Sequence, residues 1–196
     1  MCVIHARLTD STFKVTKMVK EAVLDKSYLI SKNIDETDFW DNFQLTSEEL
    51  DAAPKPKDMM IAFFLSFPKS FTILLHLREF IVKPLGLKTA PKTDKRSRYD
   101  RLYQFNGEVG ESIAIFEVLE KDERELLTGQ NDSHLDFKLS FISYQANDNI
   151  KLELVTTVIF NNTLGKIYFH LIKPFHRFYI KRILKRMEKQ LLHKSW

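Results

Sequence analysis

From Leu135 onward the chain alternates. Leu135, Phe137, Leu139 and Phe141 are apolar, and Asp136, Lys138 and Ser140 between them are polar. Leu152, Leu154, Val158 and Phe160 repeat the pattern one segment later. A period of two puts the apolar set on one face of an extended chain, so both segments predict antiparallel strands with one covered face. Strands are predicted at Arg98–Phe105, Ser112–Leu119, Glu123–Gly129, Leu135–Tyr144 and Lys151–Asn161, separated by Asn106-Gly107, Lys121-Asp122, Asn131-Asp132 and Asn147-Asp148-Asn149. Those separators carry turn chemistry, and short turns between sequential strands predict a meander. An earlier strand is expected over Asp38–Leu45, ending at the polar cluster Thr46-Ser47-Glu48-Glu49.

After Asn161 the period changes. Leu164, Ile167, Tyr168, Leu171, Phe175, Phe178, Ile183, Met187 and Leu191 recur at helical spacing. A helix of about 30 residues is roughly 45 Å long, enough to lie across a sheet. Pro174 predicts a kink or restart in it. Before the strands, Asp58 is expected to cap one short helix and Pro68 to open a second, which carries Phe71, Leu74 and Leu75 on one face and ends at Gly86. Val19–Leu29 reads as a short helix or an extended arm. The expected organisation is an N-terminal extension over residues 1–36 and a single α+β domain over residues 37–196.

Composition adds three constraints. Sixteen phenylalanines argue for a folded globule with an aromatic core or an apolar pocket. The one cysteine, Cys2, allows no intramolecular disulfide, and the first residues show no secretory leader, so a cytoplasmic setting is expected. The apolar stretch Met59–Leu77 is interrupted by Pro68 and Lys69, which predicts buried helices and no stable membrane insertion. Charge is uneven: Thr163–Trp196 carries nine lysines and arginines against Glu188 alone, within a chain of net charge +4.

Candidate chemistry is sparse. His134 and Asp136 lie two apart on a predicted strand and share a face, the arrangement in which a carboxylate orients a histidine for acid–base work. Their parity is opposite to Leu135 and Phe137, which favours a surface or turn-fixing pair. His176 and Arg177 follow Pro174, where a kink would put one of them over a pocket mouth as an anion contact, or leave them bonding the carbonyls that the proline frees, which is the favoured reading. The six histidines include no metal-binding spacing, and no nucleophile motif or phosphate-binding glycine loop occurs, so neither a metal nor a cofactor is expected. The basic residues of the terminal helix recur as Lys181-Arg182 and Lys185-Arg186, the spacing of a solvated outer face, and no nucleic-acid partner is expected.

Several motifs carry a resemblance. Asp132-Ser133-His134-Leu135-Asp136-Phe137-Lys138, Thr157-Val158-Ile159-Phe160-Asn161-Asn162, Gly165-Lys166-Ile167-Tyr168 and Pro174-Phe175-His176-Arg177 resemble the run that marks a bacterial family catalogued as domain of unknown function 2867. Arg78–Leu87 and Asp38–Phe43 are similar to that family's helix and opening strand. Lys138 stands where the family usually has arginine. The resemblance implies a START-like (SRPBCC, helix-grip) fold: an antiparallel sheet, two short helices after its first strand, and a long C-terminal helix across it. Some relatives follow a nucleotide-binding oxidoreductase domain; this chain resembles the stand-alone form. The function expected is binding of a hydrophobic small molecule between sheet and helix, lined by Phe137, Phe141, Leu154, Phe160, Phe175 and Phe178. The alternatives are a cyclase- or hydrolase-type enzyme using His134 or His176, and an interaction module whose basic helix meets an acidic partner or a membrane.

Overall fold

A computed structural model describes residues 18–68, 102–194 and 196 of the chain. Seven antiparallel strands form one open sheet: β1 (Val19–Glu21), β2 (Phe39–Ser47), β3 (Ser112–Ile113), β4 (Phe116–Lys121), β5 (Glu125–Asn131), β6 (Leu135–Ala146) and β7 (Asn149–Phe160), in the order β1-β2-β7-β6-β5-β4-β3. The predicted meander runs from β3 to β7, and β2 closes it by pairing beside β7. Helix α1 (Pro56–Leu65) follows β2, and helix α2 (Thr163–Leu192) crosses the sheet.

The alternation read in β6 and β7 sets the register. Phe43, Leu154, Phe141 and Leu126 are successive partners across four strands, and all four face α1 and α2 as buried core. The opposite face is also covered. Tyr28, the cap of a 3-10 segment over Leu29–Glu36, and Ile30 within it pack on Leu127, Ile142 and Val155. The residues assigned to an extension therefore supply an edge strand and the cover of the second face.

Several expectations need correction. The strand expected over Ser112–Leu119 is two, because Ala114 takes a left-handed backbone (φ 56°) and turns the chain. Residues 102–104, inside the expected strand Arg98–Phe105, are helical, and Leu102 joins the core. Asp58 does not cap α1: Lys55 holds the cap position without a side-chain bond, and Asp58 in the first turn accepts a hydrogen bond from Lys194 Nζ at 2.8 Å. Pro174 does not restart the terminal helix, which runs unbroken over 30 residues because buried side chains anchor it on both sides of the proline. The second helix expected after Pro68 lies outside the described residues.

Candidate functional site

The face of the sheet beneath α2 is built in rows. One row is the apolar set Phe43, Leu154, Phe141 and Leu126. Four residues along each strand, a row of Phe39, Val158, Phe137 and Gln130 begins a second apolar cluster, completed by Leu135, Tyr168 and Phe169. Between them lies a row of different character: Asp41, Thr156, Leu139 and Thr128. This polar belt separates two core clusters that share one sheet face.

Asp41 and Thr156 are paired neighbours on β2 and β7, and both are at least nine-tenths buried. His176 stands over them. It shares a face of α2 with Phe169, Ile180 and Ile183, seven, four and seven residues away, which is the spacing that stacks side chains on one side of a helix. Its Nε2 lies 3.4 Å from Asp41 Oδ1. Among the described residues the other carboxylate oxygen, Asp41 Oδ2, and the Thr156 hydroxyl have no hydrogen-bond partner. Thr128, at the far end of the row, satisfies itself by donating to the Leu139 carbonyl at 2.9 Å. Buried polar atoms are nearly always paired; these two exceptions lie on neighbouring strands, while Asn42 Oδ1 and Ser66 Oγ are further ones elsewhere in the fold.

The other residues singled out from sequence disperse. His134 is buried, meets the Tyr168 ring edge-on with centroids 5.4 Å apart, and lies 3.7 Å from Asp132. Asp136 accepts from the Asp132 amide and from Asn161 Nδ2, each at 3.0 Å. Asn162 donates to the Ser133 carbonyl and caps α2 by accepting from the Gly165 amide. The motif around Asp132–Asp136 thus ties the β5–β6 turn to the start of α2. Arg177 hydrogen-bonds Glu21 of β1 and lies over the Phe43 ring, so its charge is already engaged within the fold.

The six residues expected to line a cavity also separate. Phe141 and Leu154 are wholly buried and leave no surface for a water-sized sphere, so they border no void of that size. Phe137 and Phe160 pack half-buried at the second apolar cluster. Phe175 and Phe178 point outward, 46% and 59% exposed, because they lie opposite Phe169 and Ile180 around the helix. Among the described residues no group of three or more histidine, cysteine or acidic side chains gathers to hold a metal.

The model of a protein family of unknown function, DUF2867, matches residues 33–183. The chain belongs to this family. No curated protein and no solved structure matches it. The matched span of this DUF2867 chain contains Asp41, Thr156 and His176. Asp41 was legible in principle: it sits on the apolar parity of β2, between Phe39 and Phe43, where a charge has to be explained. The same holds for Thr156 between Leu154 and Val158.

The opposite face of the DUF2867 sheet carries a second polar group. Glu153 accepts from Asn42 Nδ2 (2.8 Å), Gln44 Nε2 (2.6 Å) and the Tyr144 hydroxyl (2.8 Å). Burial, together with the bond to Glu153, pushes the Tyr144 hydroxyl up to about 12. Tyr28 is raised as well, first by burial and then by the Glu153 charge. An open cavity of about 530 Å³ lies there between Lys20–Asp25, Tyr28, Gln44, Tyr144 and Glu153. Its floor centres on the Glu153 carboxylate and its three donors, and Asn42 Oδ1 beside them has no hydrogen-bond partner among the described residues.

Proposed function

We propose that this is a small-molecule-binding domain of the helix-grip kind, taking a mainly apolar ligand between the sheet and α2. Asp41, Thr156 and His176 would hold its polar head. The observation that carries the reading is the pair of unpartnered buried atoms, Asp41 Oδ2 and Thr156 Oγ1, on neighbouring strands beneath His176. An unpaired carboxylate oxygen calls for a donor, so the head is a hydroxyl or an amine. The half-buried Phe39, Phe137 and Phe160 beside the belt suit the apolar body. Binding without chemistry is supported by the dispersal of the other candidate acids and bases.

The test is fluorescence of an environment-sensitive apolar dye, displaced by extracted cell lipids. Thr156→Val keeps the shape and removes the hydroxyl, and is expected to weaken binding about tenfold, the effect of one buried hydrogen bond of about 1–2 kcal/mol. A protein that takes up no dye, or a variant that binds as well as the wild type, overturns the reading.

The His176–Asp41 contact favours a second reading, acid–base chemistry by His176 with Asp41 orienting its ring. Hydrolysis of chromogenic esters that disappears in His176→Gln would establish it. Ester turnover that is absent, or unchanged in that variant, removes it.

A further inference from the structure

Around α2, one face is left uncovered by every described element. Ile167, Leu171, Phe175 and Phe178 are each about half exposed or more, from 46% to 59%. They are spaced four, four and three residues apart, which places them in one line along the helix. The line is about 16 Å long at 1.5 Å per residue. Four large apolar side chains in a row are not the scattered single exposures of an ordinary surface.

The same face then changes character. Continuing at the same spacing, Arg182, Lys185 and Lys189 follow Phe178 on that side, with Arg186 on the flank, and all four are exposed. Glu188, the one acidic residue of α2, is buried. A single exposed face is thus apolar in its first half and cationic in its second, with no negative charge along it. A nucleic acid would match the second half and leave the first without a partner. A protein would need a groove shaped to a convex ridge of two phenylalanines, an isoleucine and a leucine. A fluid bilayer with anionic headgroups matches both halves without a preformed shape, because acyl chains yield to apolar side chains while phosphates meet the cations.

We infer that the outer face of α2 docks this domain on an anionic membrane surface, with Ile167, Leu171, Phe175 and Phe178 entering the headgroup boundary and Arg182, Lys185 and Lys189 contacting phosphates. The attachment is peripheral, since no described helix is long and apolar enough to cross a bilayer.

The experiment is co-sedimentation of the full chain with vesicles of phosphatidylcholine alone and with about 30% phosphatidylserine. Binding is expected only to the anionic vesicles, and it should weaken about tenfold when salt is raised from about 0.1 to about 0.5 M. The double variant Phe175→Ser, Phe178→Ser should bind about tenfold or more weakly with an unchanged melting temperature, since it removes exposed apolar area that the fold does not use. Arg182, Lys185 and Lys189 changed together to Gln should lower binding similarly and flatten the salt dependence. Absence of vesicle binding, or binding indifferent to phosphatidylserine or to both variants, overturns the inference. So does a phenylalanine variant that melts lower, which would show the ridge covered in the folded chain. A concentration-dependent dimer that the double variant abolishes, without vesicle binding, assigns the ridge to a second copy and overturns it as well.

Discussion

A methyl group at position 165 would place its carbon 1.8 Å from the His134 carbonyl oxygen and 2.7 Å from its carbon. Both atoms are backbone, held by the Asn161 amide donating to that carbonyl at 3.1 Å, so neither moves alone. In an ordinary helix, glycine to alanine is favourable by about 1 kcal/mol. Here the sign reverses, because α2 would have to lift its first turn off the β5–β6 turn. Gly165→Ala is expected to lower the unfolding free energy by about 1–3 kcal/mol in a denaturant titration, the range of overpacked sites. A neutral or stabilising result would mean that the helix start is not seated on His134. The same close approach explains why glycine and the two asparagines before it occur together: Asn161 and Asn162 hold the turn, and Gly165 lets it come near.

At the level of elements, the 3-10 segment is attached to the sheet through one carboxylate. Glu125, at the start of β5, accepts from the amides of Leu29 (2.5 Å) and Ile30 (3.0 Å) and from the Ser140 hydroxyl (2.5 Å). Burial nevertheless outweighs these bonds and raises its pKa above the ordinary 4.5. A carboxyl raised on folding contributes stability that is fully present below 4.5 and is lost as pH rises through the folded value, because the buried anion is penalised relative to the unfolded chain. In unfolding titrations between about pH 4 and about pH 7, the difference between Glu125→Gln and the wild type is expected to move in favour of glutamine as pH rises. A difference that is flat, or that moves the other way, would show that the hydrogen bonds dominate. Glu125 and Glu153 also mark what the alternation pattern concealed. They lie on the face opposite Leu126 and Leu154, which reads as solvent-facing, and they are buried on the side of the sheet that Tyr28 and Ile30 cover. The strands themselves were legible where apolar and polar residues alternate strictly, as in β6 and β7. The pattern failed at Ala114, since alanine carries no turn signal, and at Leu102, since a short apolar run fits a helix turn as well as a strand. On α2 the hydrophobic spacing found the helix but not its faces, because apolar residues lie on two sides of it and only one side meets the sheet.

For the whole molecule, the consequence is that both faces of a single sheet must be covered for either to be stable. Helices α1 and α2 cover one, and the segment from Tyr28 to Glu36 covers the other, while β1 adds an edge strand joined to α2 through Glu21 and Arg177. The family match begins at residue 33, beyond β1, Tyr28 and Ile30. A chain shortened to begin at residue 37 would keep most of the matched region and still expose Leu127, Ile142 and Val155 on the bared face. It would also leave Glu125 without the two amides that hold it. Uncovering that patch and losing Tyr28 and Ile30 forfeits about 2–3 kcal/mol for each large apolar side chain, together comparable to the 5–15 kcal/mol that stabilises a typical domain. The shortened chain is therefore expected to be unfolded or aggregated, with no cooperative melting transition in circular dichroism. A shortened chain that melts cooperatively near the wild-type temperature would show that the sheet stands with one bare face. In that case residues 18–36 form an accessory layer, and the polar network around Glu153 contributes nothing that the rest of the fold requires.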